Sequence, residues 1–420
     1  MSTRPTGETG LSTAQRETLR ALAGRVAEIA ALPDQQETIR LWKRLNGLEP
    51  ERPMFMIDQI PWHEMDVDEE LRCVCDDPFY AGIETDLRRR LYLWRHARAD
   101  MVVEPYVDVP KTICGAHLGI TAEEDVSALD PTNDVVGHLY HDQLRNEDDL
   151  EKVRMPEVRL DEEATSRDEE RARELFDGIL DVRMQGVHPS FAFWDRIAEW
   201  HGVERSLYDL VDRPDFLHRM IGRITTGYHR MLDQLEEQGL LGCPMATIHC
   251  TGAWADELPA PGYDPARVRA ADLWTFGMAQ IFSSVSPAMH EEFEIDYVRP
   301  WYERFGLGYY GCCEPLDRKI DLVRTIPNVR KVSMSPWVNV QRGAEAIARD
   351  FVFSRKPSPA LVATDTMDED AVRADLAETL DACRASGSPV ELILKDISTV
   401  RYEPQRLWRW AQIARELVEA

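Results

Sequence analysis

The sequence predicts an α/β protein: eight parallel strands, each followed by helix, closed into a (β/α)8 TIM barrel. Three observations predict it. Short apolar runs begin near residues 52, 101, 182, 273, 307, 330, 351 and 391, which makes eight. Most are separated by stretches with apolar residues at helical spacing, the pattern of parallel βα units. Each run also ends in polar residues, where a barrel presents its chemistry. A doubly wound open sheet is the competing arrangement.

The elements follow in chain order. Residues 11–47 carry helical periodicity, divided at Pro33 and stopped at Gly47. This predicts an N-terminal helical extension over 1–50, ahead of a barrel over 51–420. The first strand, 52-RPMFMID-58, ends in Asp58, and a charged helical region covers about 68–98. The second, 101-MVVEPYVDVP-110, ends in Glu104 and Pro105. Residues 115–180 read as a partly helical insertion whose acidic run is a solvated helix face. Then come 182-VRMQGVHPSF-191 with His188, helical blocks at 192–211 and 214–238, and a strand-like 245-MATIHCTGAW-254. After 273-LWTFGMAQ-280, Ser286 is an N-cap candidate and Pro287 opens a helix that stops at Gly306. The last strands are 307-LGYYG-311, 330-RKVSM-334, 351-FVFS-354 and 391-ELILK-395.

The chain has 420 residues with 75 acidic and 49 basic, a net charge of −26. That balance repels nucleic acid and anionic membranes. No apolar run reaches the roughly 20 residues needed to span a bilayer. The N-terminus MSTRPTGETGLSTAQ has no apolar signal core. A cytoplasmic location is expected, and eight scattered cysteines read as reduced thiols.

Taken in order, the segments resemble the uroporphyrinogen decarboxylase superfamily over about residues 50–415. The residues that carry the resemblance are RPMFMIDQ, VSPAMHEEFEIDYVRPWYERF, YYGCCEPLDRKIDLV, VRKVSMSPWVNVQRGAEAI and FVFSRKPSPALVA. The superfamily holds the haem-pathway decarboxylase and zinc methyltransferases that serve corrinoid proteins. The true decarboxylase sets two arginines against its acidic substrate; this chain has Asp58 and Trp62 at those places. Guanidinium forks would be lost, so the resemblance points to the methyltransferase branch. That branch uses a His-x-Cys motif at strand five and a further Cys near strand seven. Here Cys312 matches, Tyr310 stands in the histidine's place, and 353-FSRKPSP-359 has no cysteine.

The resemblance thus implies metal-assisted methyl transfer with a zinc ion, involving a corrinoid protein, a thiol or a folate. Zinc takes three protein ligands and keeps one open position. Cys312, Cys313, Glu314 and His249 are the candidate ligands, with Cys250 beside them; buried or hydrogen-bonded loop side chains are the bland alternative. Asp58, Glu104 and His188 are candidates for proton transfer, Asp58 and Glu104 as a carboxylate pair over the barrel mouth. His63, Tyr310, Trp337 and Lys356 are candidates for substrate binding, Tyr310 and Trp337 as the floor of an aromatic pocket. His290, within HEEFE, reads as part of a surface helix, and Arg355 and Lys356 as exposed loop cations. Two other functions stay open: a decarboxylase or lyase on a small non-porphyrin substrate, and a non-catalytic barrel that partners a corrinoid module. A homodimer also stays open.

Overall fold

A computed structural model describes residues 10–128, 133 and 136–420. Residues 1–9 of the polar N-terminus, and 129–132 and 134–135 within the expected insertion, lie outside the described residues.

The first helix, α1 (Thr13–Ala30), starts on a reciprocal cap. Ser12 Oγ accepts from the Gln15 N–H, and the Ser12 N–H donates to the Gln15 side chain. The second, α2 (Pro33–Asn46), begins at the proline, whose missing N–H costs nothing in a first turn. It lies against the sheet: Trp42 Nε1 donates to Asp100 O at 2.8 Å, and Asn46 Nδ2 to Trp254 O at 2.7 Å.

The fold is mixed α/β, centred on a six-stranded parallel sheet. Its strands are β1 (Met54–Ile57), β4 (Trp274–Gly277), β5 (Leu307–Tyr310), β6 (Val329–Met334), β7 (Val352–Arg355) and β8 (Val390–Leu394), in the order β1-β8-β7-β6-β5-β4. Two further strands, β2 (Tyr106–Pro110) and β3 (Asp181–Gln185), form a separate parallel pair. Isolated hydrogen bonds reach both sheet edges: Asp100 N donates to Phe55 O at 3.0 Å, and Phe191 N to Phe276 O at 2.7 Å.

Two expected strands therefore shift. The run from 101 forms no strand until Tyr106, because side chains take the donors that a ladder would use. Asp100 Oδ2 accepts from Phe55 N at 2.9 Å and also pairs with Arg52, while Gln35 Oε1 accepts from Val103 N at 2.8 Å. The run from 182 ends at Gln185, and 245–254 is a small hairpin of Thr247–Ile248 against Thr251–Gly252. The charged region before residue 98 is helical only over Pro78–His96.

Side chains on one face reach across strands two apart, as they do where a sheet curves. Adjacent strands lie about 4.8 Å apart, so strands two apart would stand nearly 10 Å apart if flat. Yet Tyr309 Oη on β5 lies 2.9 Å from Ser354 Oγ on β7. Lys331 Nζ on β6 donates to Glu391 Oε2 on β8 at 2.7 Å. These residues crowd the concave face, and Ser333, Lys356 and Lys395 follow them at the strand period of two. The convex face carries Tyr310, Val332, Phe353 and Leu392 into the apolar core beneath the helices.

Candidate functional site

The chain turns sharply where β5 ends. Gly311 has φ +90°, and a Cβ there would meet Leu316 Cδ1 at 2.4 Å, so glycine is required. The turn delivers Cys312 and Cys313, whose sulfurs lie 3.6 Å apart. Ser333 Oγ donates to Cys312 O at 2.7 Å. Glu314 is fully buried, and its carboxylate accepts from Cys312 N at 2.9 Å and Ala279 N at 3.0 Å. It ties the end of β5 to the loop after β4.

From the end of β8, Lys395 Nζ donates to Cys312 Sγ at 3.4 Å and pairs with Asp396 at 3.3 Å. The thiol–thiol hydrogen bond dominates the acidity of the pair: it lowers Cys313, because Cys312 steadies its thiolate, and raises Cys312, with burial adding to that rise. Burial works against the Lys395 ammonium, but the dithiol and the Asp396 carboxylate beside it outweigh that, and its pKa is raised.

The other polar groups surround this pair. Asp58 follows β1, its N–H donating to Leu394 O at 2.9 Å, and its charge acts on the Cys250 thiol. Burial, with Asp58 beside it, pushes Cys250 up to about 12. His249 and Cys250 form the hairpin tip with φ of 42° and 71°, left-handed backbone that non-glycine residues adopt at a cost. The His249 ring lies on Phe276 and against Tyr309, at centroid distances of 4.8 and 4.9 Å. Burial holds its pKa well below the usual value, with Lys395 and Lys356 adding to that, and its Nε2 has no hydrogen-bond partner.

Lys356 is buried rather than exposed; it donates to Tyr309 Oη and to Ser354 Oγ, the latter at 2.9 Å. Burial lowers it to about 8. Arg355 is buried too and donates to Ser335 O at 2.6 Å. His63 sits after β1 with Nε2 3.6 Å from Glu64 Oε1 and its ring edge-on to Tyr402.

Several expectations need correction. Glu104 precedes β2 and is bound by both terminal nitrogens of Arg183, at 3.1 and 3.0 Å, so it forms no pair with Asp58. His188 donates from Nε2 to Cys243 O at 2.7 Å, and burial lowers its pKa. Tyr310 points to the convex face, away from Trp337: its hydroxyl donates to Glu294 Oε2 at 2.8 Å. His290 is buried rather than on a surface helix, between Tyr310 and Lys319.

The residues also do not fit a zinc centre. Glu314 spends its oxygens on backbone N–H groups, and the Lys395 ammonium stands in the ligand sphere of Cys312, where it would repel a dication. Among the described residues, no group of three or more His, Cys, Asp or Glu side chains converges to hold a metal ion.

Sequence reasoning missed three features. The interior ion pair of Lys331 and Glu391 is one, and Tyr309 is another; the signal for both was polar letters at period two within buried strands. The third is Asp195, which accepts from Gln280 Nε2 at 3.2 and 3.1 Å and is pushed by burial up to about 6. No sequence pattern singled it out.

The site thus defines an α/β protein with a lysine-backed dithiol at its strand ends. A solved structure of a methyltransferase from Methanosarcina mazei is similar to this chain, with a TM-score of 0.50 at 11% identity, over 90% of this chain and 98% of that one. At that identity the likeness concerns the fold. No protein-family profile and no curated protein sequence matches the chain. Among the described residues, no helix is long and apolar enough to cross a membrane.

Proposed function

We propose that the chain is a methyltransferase whose reacting group is the Cys313 thiolate. The observation that carries this reading is the Cys312–Cys313–Lys395 cluster, with sulfurs 3.6 Å apart and the ammonium 3.4 Å from one of them. A thiolate, not a thiol, attacks carbon, and the hydrogen bond from Cys312 lowers the Cys313 pKa in that direction.

The chemistry balances in two halves. Cys313 loses its proton to solvent, and the thiolate attacks the donor's methyl carbon. A C–S bond forms, the bond from carbon to its leaving group breaks, and the electron pair departs with that group. An acceptor nucleophile then attacks the same carbon and the thiolate leaves. Cys312 and Lys395 help both halves, because the hydrogen bond and charge that steady a thiolate also make it a better leaving group. Asp195, half-buried and hydrogen-bonded to Gln280 after β4, is the carboxyl this reading assigns to hold a proton for the acceptor.

The same reading takes the curved sheet and the β2–β3 pair as parts of a (β/α)8 barrel of the uroporphyrinogen decarboxylase type, with a cytoplasmic location. It takes a corrinoid protein or a folate as the methyl source. The fold likeness to a methyltransferase supports it.

The test is demethylation of methylcobalamin followed by absorbance. Wild-type protein is expected to consume it, and C313S to fail while staying folded. Equal rates in C313S and wild type remove the reading.

A further inference from the structure

A second feature shares the β5 loop with the dithiol. Trp337, in the loop after β6, is 77% exposed, more than any other large apolar residue described. It lines a cavity of about 600 Å³ walled by the loops after β4, β5 and β6. Small-molecule sites have about this size, from roughly 300 to 1,000 Å³. These loops also follow the C-terminal strand ends, where α/β folds take ligands.

The walls are cationic in a chain of net charge −26. Arg318, Lys319 and Arg342 line the cavity against one carboxylate, Asp317, which accepts from Arg342 Nη1 at 2.8 Å. Arg318 is exposed. Lys319 is only 6% exposed, yet its hydrogen-bond partners are neutral: Phe282 O at 2.9 Å and His290 Nδ1 at 3.0 Å. A buried cation normally has a bound counter-charge. Glu314 and Glu294 favour its charged form from a distance, but burial outweighs them and its pKa is lowered. Exposed indole and surplus cations on the wall of one cavity are two independent invitations, one to a flat ring and one to an anion.

We propose that this cavity binds a small molecule carrying both a planar ring and an anionic group, with the ring on Trp337 and the anion, carboxylate or phosphate, at Arg318 and Lys319. Where the methyl-transfer reading holds, this ligand is the small-molecule substrate, because the loop that holds the dithiol also walls the cavity. Binding itself does not depend on that reading.

Ligand-observed NMR with four probes tests it: 4-methoxybenzoate, phenyl phosphate, neutral 4-methoxybenzamide and ringless cyclohexanecarboxylate. One or both aromatic anions are expected to bind, and which one does identifies the anion. The amide and the ringless acid are expected to bind at least about tenfold more weakly, the scale of one lost charge-assisted contact. Trp337→Ala and Arg318→Ala, both at exposed positions, are expected to weaken the aromatic anion by a similar factor with unchanged circular dichroism. The proposal fails if no aromatic anion binds, if the amide or the ringless acid binds equally well, or if both substitutions leave affinity unchanged. Methylcobalamin consumption is scored separately, so a failed cavity and a failed dithiol give different results.

Discussion

Replacing Lys395 by methionine removes the charge that faces the dithiol and keeps most of the side chain's volume. The ammonium lies 3.4 Å from Cys312 Sγ. The Cys313 thiolate lies 3.6 Å from that sulfur, so over separations of about 3.4–7 Å two unit charges interact by about 2–5 kcal/mol at an effective dielectric near 20, and by about 1 kcal/mol or less in water. Cys313 is half-buried, and Asp396 draws on the same ammonium from 3.3 Å, so the working figure lies between, at about 1.5–3 kcal/mol. That is roughly one to two pK units. The sign is upward, since removing a cation disfavours the thiolate. The two sulfurs share their titration, so the shift belongs to the pair's first proton loss. The assay is iodoacetamide labelling across pH, followed by mass spectrometry of the peptide holding Cys312 and Cys313. Lys395→Met is expected to slow labelling about 10- to 100-fold below the thiol pKa, with the rates converging at high pH. A folded variant with an unchanged pH profile would refute the reasoning.

Three further outcomes are expected. Lys331→Met strands the buried Glu391 carboxylate and is expected to cost about 3–5 kcal/mol in denaturant unfolding, while Lys331→Met with Glu391→Leu costs less than the single change; equal losses would contradict a pairwise role. Glu294 is pushed by burial up to about 8 from an ordinary 4.5, so the folded state holds its proton more tightly. Its stabilising contribution is complete below pH 4.5 and is lost as pH rises towards 8. Glu294→Gln is therefore expected to flatten the fall of Tm across that window. His290, held by burial at about 3, acts in the opposite sense, its contribution fading as pH falls from 6.5. Gly311→Ala forces a Cβ into left-handed backbone against Leu316 and is expected to lower stability by about 1–3 kcal/mol and slow Cys313 labelling, measured on the same sample.

Much of the sheet was legible because β4 to β8 are buried runs bounded by turn residues, and Ser286 does cap its helix, accepting from Met289 N at 3.3 Å. Location at strand ends was legible for Asp58, Cys312, Cys313 and Lys395 on the same ground. What was not legible came from side chains that compete with the backbone. Asp100 and Gln35 replace ladder bonds after residue 100, so β2 starts late and Glu104 falls before it rather than at its end. Tyr309 and Tyr310 are adjacent letters on opposite faces, and only the register of neighbouring strands shows which one turns inward. His290 looked exposed amid acidic residues, but the π-helical turn Glu291–Ile295 shifts the helix's facing and buries His290 and Glu294 together. One fact that no motif records bears on the metal expectation: the lysine after β8 reaches the cysteine after β5.

The most direct test exposes the protein to methylcobalamin, digests it, and reads which of its eight cysteines gains a methyl group. The account predicts that Cys313 gains it first, and that Lys395→Met delays the gain. Methyl spread evenly over the thiols, or methyl absent from Cys313 while the donor is consumed, would contradict it.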